Sequence, residues 1–125
     1  MDKSLIGIPW KLGGRDRNGI DCLGLVILAE RELFGVTIPD AWVYTEQDYG
    51  AVSLMAAAHM PELGYIPVDV PTDGDIAYIE IAGHGHLGVW IGGAILTIVE
   101  GGRSSWKRRR LPFRYFRPWE VGEWA

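Results

Sequence analysis

Between Asp21 and Glu30 the chain reads Cys22-Leu23-Gly24-Leu25-Val26-Ile27-Leu28-Ala29, with no charged residue. Its flanks are those of a helix. Asp21 is a good N-cap, because its carboxylate can accept from the N–H groups of the following turn. Gly35, after Glu30-Arg31-Glu32-Leu33-Phe34, supplies the C-cap. A helix apolar nearly all round has to be buried on every side, so it is central and the rest of the chain packs around it. Gly24 inside it costs about 1 kcal/mol relative to alanine, which predicts that something approaches the backbone closely there.

The second half supplies the layer for that helix to pack on. Asp73-Gly74-Asp75 reads as a turn, followed by a strand over 76–81. Gly83-His84-Gly85 turns the chain into a second strand over 86–91, and Gly92-Gly93 into a third over 95–99, with a further strand or two within 107–117. Short strands joined by glycine pairs form an antiparallel meander. Helix first and sheet after is an α+β arrangement, the helix lying against one sheet face. Residues 5–20 read as a loop-rich lead-in with Asn18-Gly19 as a tight turn. Residues 36–45 read as irregular, and a weaker helix is expected from Glu46 to His59, closed by Pro61 and Gly64. With 125 residues, 48% of them hydrophobic, the chain is read as one domain over 1–125, without internal repeats.

Net charge is −4, which argues against a nucleic-acid binder. The charge is uneven, however. Of the 12 Lys and Arg, seven lie after position 101, interleaved with Trp106, Phe113, Tyr115 and Phe116. That basic end can touch an anionic polymer or a partner, or be no more than solvated strand faces. No apolar run reaches the roughly 18–20 residues of a membrane span. The first residues have neither an apolar signal core nor a small-residue cleavage site, so no secretion signal is expected.

Cys22 is the sole cysteine, so any chemistry it has belongs to its thiol rather than to an internal disulfide. The first helical turn offers unpaired N–H groups and a partial positive charge, which favour the thiolate. A nucleophile also needs a base, and the chain has His59, His84 and His86. His84 and His86 share one face if both are extended, and His86, leading directly into Leu-Gly-Val-Trp-Ile, is the better fixed. The plain alternatives are a buried thiol acting as a small hydrophobe and two solvated turn histidines. Cys22 with a His-x-His pair also resembles three zinc ligands, but no carboxylate or second cysteine stands at a telling spacing. The glycine pairs at 13–14 and 92–93 lack the Lys-Ser/Thr ending of a phosphate loop.

The stretch Gly7-Ile8-Pro9-Trp10-Lys11-Leu12-Gly13-Gly14, followed by Asp21-Cys22-Leu23-Gly24-Leu25-Val26, resembles the signature of the NlpC/P60 cysteine peptidases. Asp73-Gly74-Asp75 is similar to that family's P-G-D turn, and His86-Leu87-Gly88-Val89-Trp90-Ile91-Gly92 to its H-V-G-I-Y-L-G strand. The resemblance implies a papain-like fold with Cys22 as nucleophile and His86 as base, then as acid to the leaving amine. It implies hydrolysis of peptidoglycan stem-peptide amide bonds with no cofactor and no metal. Trp10, Asp21 and Leu23 fall on the oxyanion and substrate side of the site.

The Arg15-Asp16-Arg17 loop, Leu96…Glu100-Gly101 and the arginine-rich end resemble the compact subgroup of phage tail-tip modules. This implies other tail proteins as partners and a place in the virion tail, made in the host cytoplasm and acting at the cell wall. Two positions depart from the pattern. The family's third polar residue falls on Thr97, which can accept from an imidazole N–H but is short and uncharged. The family's oxyanion tyrosine is Trp10, whose indole N–H donates from a different place. Loss of such a group commonly costs on the order of 100-fold in rate. A structural plug or adaptor of the tail tip with the same fold is therefore the alternative, and an acyltransferase or amidase on the same dyad a third reading.

Overall fold

The computed structural model describes residues 1–40 and 65–118. The expected second helix at 46–59, and His59 with it, lie outside the described residues. A short 3-10 turn, Lys3–Leu5, is followed by a minimal hairpin of β1 (Arg15–Asp16) and β2 (Gly19–Ile20), then helix α1 (Cys22–Ala29). The sheet comprises β3 (Ile66–Val68), β4 (Ile76–Ile81), β5 (His84–Ile91), β6 (Ala94–Thr97), β7 (Ser105–Lys107) and β8 (Arg114–Arg117). Its order is β3-β8-β4-β5-β6-β7, every neighbouring pair antiparallel. The expected meander is β4 to β7. β8 leaves it and inserts between β3 and β4.

Every residue of α1 is buried. The helix packs on β5 and β6, and its side chains share one core with Ile76, Tyr78, Leu87, Val89, Ile91, Leu96, Ile98 and Phe116. Beyond Ala29 the helix widens into a π-helical turn, Glu30–Phe34, and stops at Gly35 with φ 68°, the left-handed C-cap expected of it. The close approach predicted at Gly24 is present. A Cβ there would lie 2.1 Å from the carbonyl oxygen of Gly14, so the loop backbone rests directly on the helix. Among the described residues no helix is long and apolar enough to cross a membrane.

Two turns differ from expectation. The first hairpin turns on Arg17 and Asn18, with Asp16 opposite Gly19, rather than on Asn18-Gly19. The Asp16 carboxylate accepts from the Asn18 N–H at 2.9 Å, an Asx turn that takes the bend one residue earlier. The second difference is at the histidines. Ala82 and Gly83 have φ of 51° and 80°, which supplies the two left-handed residues of a type I′ hairpin. The turn is therefore complete before His84, and His84 pairs with Ile81 as the first residue of β5.

Candidate active site

The lead-in segment is held between β2 and the β6–β7 connection. Gly7 and Trp10 donate backbone N–H bonds to the carbonyls of Ser104 and Gly102, both at 2.9 Å, and Lys11 N–H reaches Ile20 O at 3.0 Å. The buried Ser104 hydroxyl accepts from Ile8 N–H at 2.8 Å and donates to Leu5 O at 2.7 Å. This lays Trp10 alongside Ile20 in a parallel bridge, two residues from Cys22. The indole nitrogen of Trp10 is buried and its ring packs on the core.

Asp21 does what an N-cap does and more. One carboxylate oxygen accepts from Gly24 N–H at 2.8 Å and pairs with Arg15 Nη1 at 2.9 Å. The other accepts from Gly13 N–H at 2.8 Å. Arg15 also donates to Gly14 O and to Asp40, at 2.9 and 3.0 Å. One buried carboxylate thus ties the helix start to the glycine loop before it. Cys22 and Leu23, the next two residues, are buried in the first turn, where the helix N–H groups are not used by the helix itself. Arg15 is the member of this arrangement that residue-type reasoning missed; only its place in the Arg15-Asp16-Arg17 loop marked it.

The direction of α1 fixes which end of the sheet Cys22 occupies. At the far end of the helix, the Phe34 ring lies 3.2 Å from where a Cβ of Gly74 would be. Glu30, Phe34, Gly74, Asp75 and Arg117 line one cavity there. Gly74 N–H bonds Trp90 O, so this is the end where β5 finishes. The helix runs in the same sense as β5, and Cys22 stands at the end where β5 starts with His84 and His86. At the distal end, Arg117 grips the buried Asp75 with two bonds of 3.0 Å.

His84 and His86 lie on one face of β5, as expected of extended residues two apart. Thr97 shares that face, since it stands opposite Gly88, the next residue of the His86 row. Leu87, Val89 and Ile91 alternate with them and belong to the core that α1 shares. His86 is held below the ordinary histidine pKa, first by burial and then by the neighbouring charge of His84. A neutral imidazole is the form a general base requires. Thr97 donates its hydroxyl proton to Leu87 O at 2.6 Å, so toward an imidazole it can only accept. Glu100 lies beyond the end of β6 and is exposed. Among the described residues no three His, Cys, Asp or Glu side chains group to hold a metal.

The sequence profile of the NlpC/P60 family matches residues 7–120, spanning both the Asp21-Cys22 turn and the His86 strand. The chain belongs to the NlpC/P60 family. Among solved structures it is similar to the NlpC/p60 domain of the peptidoglycan hydrolase SagA, with a TM-score of 0.55 and 20% identity over 89% of this chain and 88% of that one. At that identity the likeness bears on the fold, and there it agrees: an α+β domain with a central helix on a six-stranded antiparallel sheet. No curated protein sequence matches the chain.

Proposed function

We propose that this NlpC/P60 domain is a cell-wall peptidase that cleaves peptidoglycan stem-peptide amide bonds, with Cys22 as nucleophile and His86 as base. The observation that carries the reading is the parallel course of α1 and β5, which brings the capped helix start and the strand start to one end of the sheet. In the reaction the Cys22 sulfur attacks the peptide carbonyl and His86 takes the thiol proton. His86 then returns that proton to the leaving amine, and water releases the acyl-enzyme. The first-turn N–H groups of α1, with Trp10 beside them, stabilise the oxyanion. We further read the domain as part of a phage tail tip, on the resemblance of the Arg15 loop and the basic end to such modules. A particle carrying the enzyme brings it to the wall.

Digestion of purified muropeptides tests the chemistry. Wild-type protein is expected to release stem-peptide fragments, and Cys22→Ala and His86→Ala are expected not to. Equal release by wild type and Cys22→Ala overturns the assignment.

A second reading has its own support. The proton of Thr97 is committed to Leu87 O, and His86 alternates with the row of β5 that packs on the helix. Both leave the base with less support than a dyad needs, which favours a tail-tip adaptor of the same fold. Iodoacetamide alkylation separates the two. An active dyad alkylates well below the free-thiol pKa near 8.5, whereas an adaptor follows the ordinary thiol curve.

A further inference from the structure

β7 is an edge strand, and β8 lies four positions away in the sheet. Lys107 pairs with Ile95, which faces Trp90, whereas Arg114 pairs with Tyr78, which faces Leu87. Residues 108–113 therefore cross the sheet diagonally, toward the end where β5 begins. Helix α1 covers one face, and the crossing strap takes the other. Arg109 donates to Ser105 Oγ at 2.9 Å, and Ser105 stands opposite Thr97. Phe113 packs on Tyr115, whose partner Ala77 stands opposite Gly88. Directly opposed residues share a face, so the strap lies over the face that carries His86, Gly88 and Thr97.

Charge on this strap is not neutralised within the described protein. Arg15, Arg17 and Arg117 are each ion-paired to carboxylates. Arg103, Lys107, Arg108, Arg109, Arg110 and Arg114 have no carboxylate partner among the described residues, and all but Arg109 are exposed. These six cations, with no acidic residue between 103 and 114 and a net −4 for the whole chain, leave −10 on the remainder. Charge is thus strongly uneven along the sequence.

We propose that the strap, with Lys107, Arg108 and Arg110 exposed along it, is a binding surface for a phosphodiester-linked anionic polymer of the cell wall. Arg114, opposite Tyr78, belongs to the helix face, and Arg103 donates to Gly7 O. Three of the four cations at 107–110 are arginines, whose fork matches phosphate oxygens two at a time. Lys107 to Arg110 are consecutive, and three of the four are exposed, which suits a flexible chain of repeated charges better than one small anion. Contact with such a polymer would hold the domain at the wall. The choice of polymer rests on the wall reading above, but binding itself requires no catalysis.

The test is fluorescence anisotropy with labelled polyglycerol phosphate. Wild-type protein should bind at 50 mM salt and weaken by about tenfold or more at 200 mM, as ion-pair binding of several phosphates does. Lys107→Gln/Arg108→Gln/Arg110→Gln should lose about tenfold in affinity at 50 mM salt with an unchanged thermal melt. Arg110→Gln alone, one exposed charge, should lose a measurable part of it. Cys22→Ala should bind as wild type, so failure of the peptidase reading leaves this result standing. Unchanged affinity in both charge variants overturns the proposal. Tighter binding of poly-L-glutamate than of polyglycerol phosphate overturns it in favour of an acidic protein partner.

Discussion

Thr97 Oγ1 donates a 2.6 Å hydrogen bond to the carbonyl oxygen of Leu87, the residue that follows His86. The bond is buried and fixes the backbone immediately after the proposed base. Thr97→Val keeps the shape but leaves that carbonyl without its donor, at a cost of about 1–3 kcal/mol. Chemical denaturation should show that loss, and Thr97→Ser should recover most of it. A Thr97→Val protein as stable as wild type would show that the bond contributes nothing.

Gly24→Ala replaces a poor helix former by the best one, which on propensity alone is worth about 1 kcal/mol of stabilisation. Contact with Gly14 O, 2.1 Å from the new methyl, opposes it. Backbone on both sides cannot yield as a side-chain end would, so overpacking by about 1–3 kcal/mol or more decides the sign. The melting temperature should fall.

Asp21→Ala removes the cap and the charge partner of Arg15 together. A lost cap costs about 1 kcal/mol, and stranding part of a buried ion pair adds to it. Arg15 is partly exposed, so the second part stays below the fully buried figure. A total near 2–3 kcal/mol is expected from these two sources. Asp21→Asn keeps one acceptor for Gly24 N–H and should cost clearly less; equal losses in a urea titration would show that the cap is not what matters.

His86 lies below the ordinary value of about 6.5 because of burial first and His84 second. As pH falls, the unfolded chain takes the proton before the folded one does. The stability His86 contributes is therefore present above about pH 6.5 and lost as pH drops toward its folded value. Activity has the same sign, since the neutral base survives below pH 6.5. The acid limb of kcat/KM on muropeptides should fall below that value, and His84→Gln should move it upward.

Ala82 occupies a left-handed turn position with φ 51°, where a residue with a Cβ costs roughly 1 kcal/mol or more. Ala82→Gly should stabilise the protein by up to about 1 kcal/mol in a thermal melt. A loss of stability would mean that the turn is held by something other than its dihedrals.

Much of this architecture was legible because local rules act on neighbouring residues. Asp21 as cap, Gly35 as stop and the burial of α1 follow from residue type and apolar run, and Gly92-Gly93 marks its own turn. The Ala82-Gly83 turn was displaced by two residues because alanine carries no turn signal and His84 between glycines does. β3 was missed because three residues including Pro67 have no period to read, and their pairing is with β8, far along the chain. The same distance hides Asp75 and Arg117, whose ion pair joins residues 42 apart. At the site, the chemistry of Cys22 and His86 was readable from residue type and motif. That Thr97 spends its proton on Leu87 was not, because register decides it.

The insertion of β8 between β3 and β4 also sets an order of assembly. The two strands that flank it are separated by the width of one missing strand until residues 114–117 exist. During synthesis, α1 and the β4–β7 meander emerge first and can associate, while β3 waits unpaired and Asp75 waits for Arg117. The sheet closes only when the last of its strands leaves the ribosome. A ribosome-bound chain stalled before Arg114 would hold the helix and the two histidines of β5 against an open seam.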